Sequence, residues 1–84
     1  MNEFIRALVL NNGFVVISIV EELFADPGEP DCKLINPYLY ENGNLKKWID
    51  FSDQNEIVIS SKNILTIVDP NEEIIKQYLK LISE

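Results

Sequence analysis

Few side chains in this sequence have types and spacing that could do chemistry. Asp50-x-x-Asp53-x-x-Glu56 could offer oxygen ligands to a hard cation. The run lacks the spacing of a calcium-binding loop, so no metal site is expected. Glu21 and Glu22 are adjacent in a stretch that reads as strand. They point to opposite faces and cannot act as a paired-carboxylate site. Asp26, Glu29 and Asp31 make an acidic loop that reads as solvated. Trp48 beside Lys46 and Lys47 joins an aromatic surface to two cations. Its reading is a core or interface tryptophan flanked by solvated lysines. The chain has no histidine, and no serine has an evident base. No catalytic residue and no cofactor are expected, and the chain does not read as an enzyme.

Composition narrows the classes further. Eighty-four residues make one domain. A chain of this size buries only about 60% of its unfolded surface, and oligomerising is one way to gain the remainder. Fourteen acidic residues against seven basic ones give a net charge of −7. That balance opposes double-stranded DNA and anionic membranes at long range. The single cysteine, Cys32, cannot form an internal disulfide and reads as a small buried apolar side chain. No apolar run reaches the length of a membrane span, and Met1-Asn2-Glu3 lacks the basic start of a signal peptide. The expected location is the cytoplasm, or the host cytoplasm if the protein is viral.

The elements that must position these groups are mostly strands. Phe4–Leu10 and Phe14–Val20 flank Asn12-Gly13, whose residues tolerate positive φ, and predict a β-hairpin. Apolar residues on both parities predict that both faces of the hairpin are covered, by a packed helix or a partner subunit. Leu23–Asp31, with two prolines and a glycine, predicts a loop. Phe14 and Phe24 read as packing residues. Cys32–Leu39 predicts a third strand in which Pro37 marks an edge or a bulge. After the turn signal Glu41-Asn42-Gly43-Asn44, Leu45–Phe51 predicts a fourth strand. Glu56–Ile59 and Ile64–Val68 predict further strand. Whether 45–51 and 56–59 are two strands or one kinked strand is left open by the residues alone. Asp69 suits a helix N-cap, with Pro70 first and Glu72 third in the helix. Ile74, Ile75, Tyr78, Leu79 and Ile82 then form an apolar stripe that must dock on the sheet.

Short strands separated by turns predict a mainly β domain, a small barrel or sandwich over residues 1–68 with a C-terminal helix over 69–84 that packs across one open end or face. Two segments resemble the motifs of the Sm-like family, which includes Lsm proteins and bacterial Hfq. Leu8–Val20 resembles the first motif, with Asn12-Gly13 at its turn. Ile59-Ser60-Ser61-Lys62-Asn63-Ile64-Leu65-Thr66-Ile67 aligns without gaps on the second, with Ser60 and Ser61 where the family has arginine and glycine. The pattern as a whole is similar to divergent Sm-like proteins of T4-like cyanophages. The family pattern implies the barrel form, a small, strongly bent five-stranded antiparallel barrel.

The resemblance implies a homo-oligomeric ring of about five to seven subunits, in which the last strand of one subunit pairs with the preceding strand of the next. Ile57, Val58, Ile59, Ile64, Leu65 and Ile67 would form that interface. Such long apolar edges would be an aggregation hazard in a monomer. The resemblance also implies that Ser60, Ser61, Lys62 and Asn63 face a pore and bind single-stranded RNA, with Lys62 meeting a phosphate and Asn63 or Ser61 a base edge. The alternative is a ring-forming protein-interaction or assembly module that binds no nucleic acid and meets a protein partner on its acidic surface.

Overall fold

The two apolar runs around Asn12-Gly13 fold back on each other, with Gly13 at φ 92° in the turn. In the computed structural model, which describes residues 4–83, these runs are β1 (Ile5–Leu10) and β2 (Val15–Glu22). They are followed by β3 (Cys32–Glu41), β4 (Asn44–Lys47), β5 (Glu56–Ile59), a 3-10 turn at Ser61–Asn63, β6 (Ile64–Val68) and α1 (Glu72–Ile82). The described strands form one antiparallel sheet in the order β4-β3-β2-β1-β6, with β5 also on β3. The second Asn-Gly turn, with Asn42 at φ 53° and Gly43 at φ 82°, joins β3 to β4.

The expected closed, five-stranded Sm-like barrel is not what forms. The sheet has six strands and stays open. The predicted fourth strand stops at Lys47, where Trp48 donates its amide to the Pro37 carbonyl and Ile49 takes φ 60°. Residues 45–51 and 56–59 are therefore two segments, lying on different halves of β3. β5 pairs Cys32–Ile35, whereas β4 pairs Tyr38–Glu41. β6 leaves the 3-10 turn and pairs with β1 rather than β5. No ladder joins β5 to β6 among the described residues. A groove of about 1220 Å³ is lined by Arg6 of β1, Glu22 of β2, Cys32 of β3, Ser61 of the 3-10 turn and Ile67 of β6, and by no residue of β5.

The division of β3 has a local cause. Ile17 pairs with Tyr38 and Ile19 with Ile35, so β3 has one residue more than β2 at this point. The extra residue is a β-bulge at Asn36-Pro37, with Asn36 at φ 54°. Proline's missing amide costs nothing in a bulge, which is why Pro37 sits inside a central strand. The bulge also reverses the side-chain alternation. Leu34 and Leu39 differ in parity, yet both enter one core with Leu8, Leu10 and Val16. Each such buried aliphatic side chain stabilises the fold by about 1.5–3 kcal/mol.

The opposite face of the sheet carries Ile5, Ala7 and Ile17, and α1 covers them. The helix answers the both-faces pattern of the first hairpin. Its Tyr78 is fully buried, and Ile74, Ile75 and Ile82 pack around it, while Leu79 stays exposed. The helix begins later than Asp69-Pro70 predicts. Asn71 is the N-cap, and its Oδ1 accepts the Ile74 amide at 2.9 Å. Asp69 is instead bonded to Arg6 on β1. Glu72 and Glu73 lie at the positive end of the helix dipole and Lys80 at the negative end. Among the described residues, no helix is long and apolar enough to cross a membrane.

Candidate functional site

The polar turn Ser60–Asn63 is built from both sides. Ser60 caps the 3-10 turn, its Oγ accepting the Lys62 amide at 3.2 Å. From the β2–β3 loop, the Asp31 carboxylate accepts the Ser61 amide and the Ser61 hydroxyl, each at 2.7 Å. From the first hairpin, the Asn11 amide donates to the Asn63 carbonyl at 2.9 Å, and Asn11 Nδ2 donates to the Lys62 carbonyl at 2.7 Å. Three stretches distant in sequence thus meet at one turn.

These bonds set its electrostatics. The Ser61 hydroxyl and then the Ser61 amide hold the Asp31 carboxyl below its ordinary value, with a smaller contribution from Lys62. A carboxylate is therefore fixed against the turn that the resemblance assigned to phosphate and base recognition. Ser60 and Ser61 use their hydroxyls internally. The Lys62 ammonium forms no ion pair among the described residues, and the Asn63 side chain forms no hydrogen bond there. Of the expected RNA-binding set, only Lys62 and Asn63 keep side-chain groups for a ligand. The RNA-binding designation, like the closed barrel, does not carry over from the family pattern.

The expected interface residues divide in two. Ile57, Ile59 and Ile64 pack on the core of Leu8, Leu10, Val16, Leu34 and Leu39. Val58, Leu65 and Ile67 are exposed, Leu65 at 70%, and Val68 joins them. All lie on strands that pair on one side only. Lys33 on β3 and Glu56 on β5 form an ion pair at 3.0 Å, and the carboxylate raises the lysine's value.

The Trp48 patch does not form as a cation-aromatic surface. Lys47 turns its ammonium to the Ser52 carbonyl at 2.8 Å, and Trp48 is half-buried against the first core. Phe14 and Phe24, expected in packing roles, are exposed instead, as is Phe51. Cys32 is buried, as its type predicts, and burial pushes its thiol up. Among the described residues, no three acidic or sulfur side chains converge as a metal site, so Asp50, Asp53 and Glu56 do not assemble one. The sequence reading missed Asp31, whose role depends on a partner thirty residues away. It also missed the grouping of Trp48 with Asn11, Asn12 and Asn63 around one pocket.

No curated protein matches this chain. The match to a family model spans residues 3–83, nearly the whole sequence, and the chain belongs to the family described as Family of unknown function (DUF6561).

Proposed function

We propose that this domain is a non-catalytic assembly module that joins copies of itself through the free edges of β5 and β6. The observation that carries this reading is β6. Ile64-Leu65-Thr66-Ile67-Val68 pairs with β1 on one side, contains no charge and no proline, and exposes Leu65, Ile67 and Val68. Natural edge strands are normally blunted by lysine, proline, a bulge or a covering element, because an open apolar edge templates pairing with another chain; β6 has a bulge against β1 at Leu65, but no lysine or proline. β5 offers a complementary edge, Glu56-Ile57-Val58-Ile59, whose one charge is already paired with Lys33.

Pairing β5 of one copy with β6 of the next is a head-to-tail contact, which closes into a ring or runs on as a filament according to the rotation between copies. It would supply the burial that a small domain lacks. Asp31, fixed on the Ser60–Asn63 turn, and the net charge of −7 favour this reading over binding of single-stranded RNA by that turn. A buried, unpaired cysteine suits a reducing compartment, and the cytoplasm is the proposed location.

The test is the mass of the native particle, compared with that of the Leu65→Lys variant. Leu65 is exposed, so the substitution leaves the monomer's core intact. A discrete oligomer that falls to monomer in the variant supports the assembly. A monomeric wild type, or an oligomer indifferent to the substitution, contradicts it.

A further inference from the structure

β5 and β6 are joined by the Ser61–Asn63 turn but hang from different parts of the sheet. β5 pairs with β3 and β6 with β1, β2 lies between those two, and no ladder ties β5 to β6 among the described residues. The ladders alone therefore fix the two free edges relative to each other only through the twist of several strand pairs in series. Twist at a single pair runs from about 10° to about 35°. A direct tie across the corner is needed to hold one angle.

Asp31 makes that tie. It stands one position before β3, at the end of the β2–β3 loop. Its carbonyl accepts the amide of Leu23, just past the end of β2, at 2.9 Å. Its amide donates to the carbonyl of Ile59, the last residue of β5, at 3.2 Å. Its carboxylate accepts the Ser61 amide and the Ser61 hydroxyl, each at 2.7 Å. One residue thus joins the end of β2, the end of β5 and the start of the turn into β6. On the far side of the turn, Asn11 holds the Lys62 and Asn63 carbonyls where β6 begins. The corner between the two edges is braced from both sides by residues that belong to neither edge.

In a head-to-tail contact each copy offers β5 to one neighbour and β6 to the other. The rotation between successive copies then follows from the orientation of β5 relative to β6 within one copy, and it decides whether and at what number the copies close. A closed ring of five turns about 72° per copy and a ring of six about 60°. The difference, about 12°, is smaller than the spread of twist at a single strand pair. A brace on the corner is what separates one copy number from the next. Given assembly through β5 and β6, on which this rests, we propose that the bonds from Asp31 to Ser61 fix the angle between the two edges and thereby set the number of copies.

Asp31→Ala, Asp31→Asn and Ser61→Ala are compared with the parent chain by native mass spectrometry, with circular dichroism to show that each folds. None of these positions lies on β5 or β6, so both edges keep their pairing groups. Asp31→Ala removes the carboxylate bonds and keeps the backbone ones; Ser61→Ala removes only the hydroxyl bond. The expected result is one copy number for the parent and a mixture of two or more for Asp31→Ala and Ser61→Ala. Asp31→Asn is expected to return to the parent's number, because its carboxamide can accept the Ser61 amide and donate to the Ser61 hydroxyl. With an oligomeric parent, an unchanged copy number or single chains in folded Asp31→Ala, or a mixture that persists in Asp31→Asn, would overturn the proposal and leave the assembly standing. A single-chain parent would overturn both. Should Asp31→Ala lose its fold, Ser61→Ala decides by the same criteria.

Discussion

The hydroxyl of Tyr78 on α1 reaches the carbonyl oxygen of Asn36 at 2.9 Å, inside the bulge of β3. It also lies 3.0 Å from the Ile35 carbonyl and accepts the Ile19 amide at 3.2 Å. Ser18 adds its hydroxyl to the same break, 3.0 Å from the Ile35 carbonyl. A bulge leaves ladder groups without partners, and these two buried hydroxyls supply them. Tyr78 therefore couples helix docking to the division of β3 that seats β4 and β5 on separate halves. The ring is held edge-on to Tyr38 at 5.8 Å between centroids.

Tyr78→Phe keeps the ring and strands these backbone groups. The expected loss is about 1–3 kcal/mol of stability, read by urea denaturation. A loss within the error of the measurement would mean that water satisfies the bulge as well as the hydroxyl does.

Burial pushes the Tyr78 hydroxyl up to about 12 from its ordinary value of 10.0. The unfolded chain releases this proton near 10.0 and the folded chain near 12, so the neutral form stabilises the fold fully below pH 10. Stability then falls as pH rises through the window between the two, by on the order of 2–3 kcal/mol in all. Tyr78→Phe is expected to lack this part of the alkaline loss in denaturation curves taken from pH 9 to 12.

Asn36 occupies the left-handed region at φ 54°, where a β-carbon is unfavourable. Asn36→Gly is expected to match or slightly exceed the parent in stability, and Asn36→Ala to lose about 1 kcal/mol. Equal stability of the two variants would show that the bulge relaxes when its residue changes.

The Asp31 carboxyl lies below its ordinary value of 3.8 because Ser61 donates two bonds to it. Its anchoring of the turn is complete above the ordinary carboxylate value and is lost as pH falls through the lower folded value. Amide hydrogen exchange at Ser61 is expected to quicken in Asp31→Ala at neutral pH. In the parent the same increase should come only in acid, after allowance for the intrinsic pH dependence of exchange. Unchanged protection in the variant would mean that the Asn11 bonds hold the turn alone.

Local features were legible in the sequence, and long-range ones were not. Asn12-Gly13 and Asn42-Gly43 marked both hairpins because their residues accept positive φ. The stripe around Tyr78 marked the helix and the face it buries. Pro37 marked a bulge or an edge, and the register decided for the bulge. Leu45–Phe51 suggested a longer fourth strand, but the half of β3 past the bulge is paired with β5 instead. The helix start was misplaced because Asp69 is bonded to Arg6, sixty-three positions away, while Asn71 takes the cap. Asp31 on Ser61 is a contact of the same kind. Closure of the sheet depends on which strands meet, and the open gap between β5 and β6 had no local signature. Of the candidate site, the turn and the edge strands were legible; the carboxylate on the turn and the grouping around Trp48 were not.

The most direct test of self-assembly through β5 and β6 is native mass spectrometry of the full chain, run beside Leu65→Lys. The account predicts one discrete multiple of the chain mass for the parent and the single-chain mass for the variant. A parent that flies as a single chain at micromolar concentration would contradict it, and the free edges would then need another occupant.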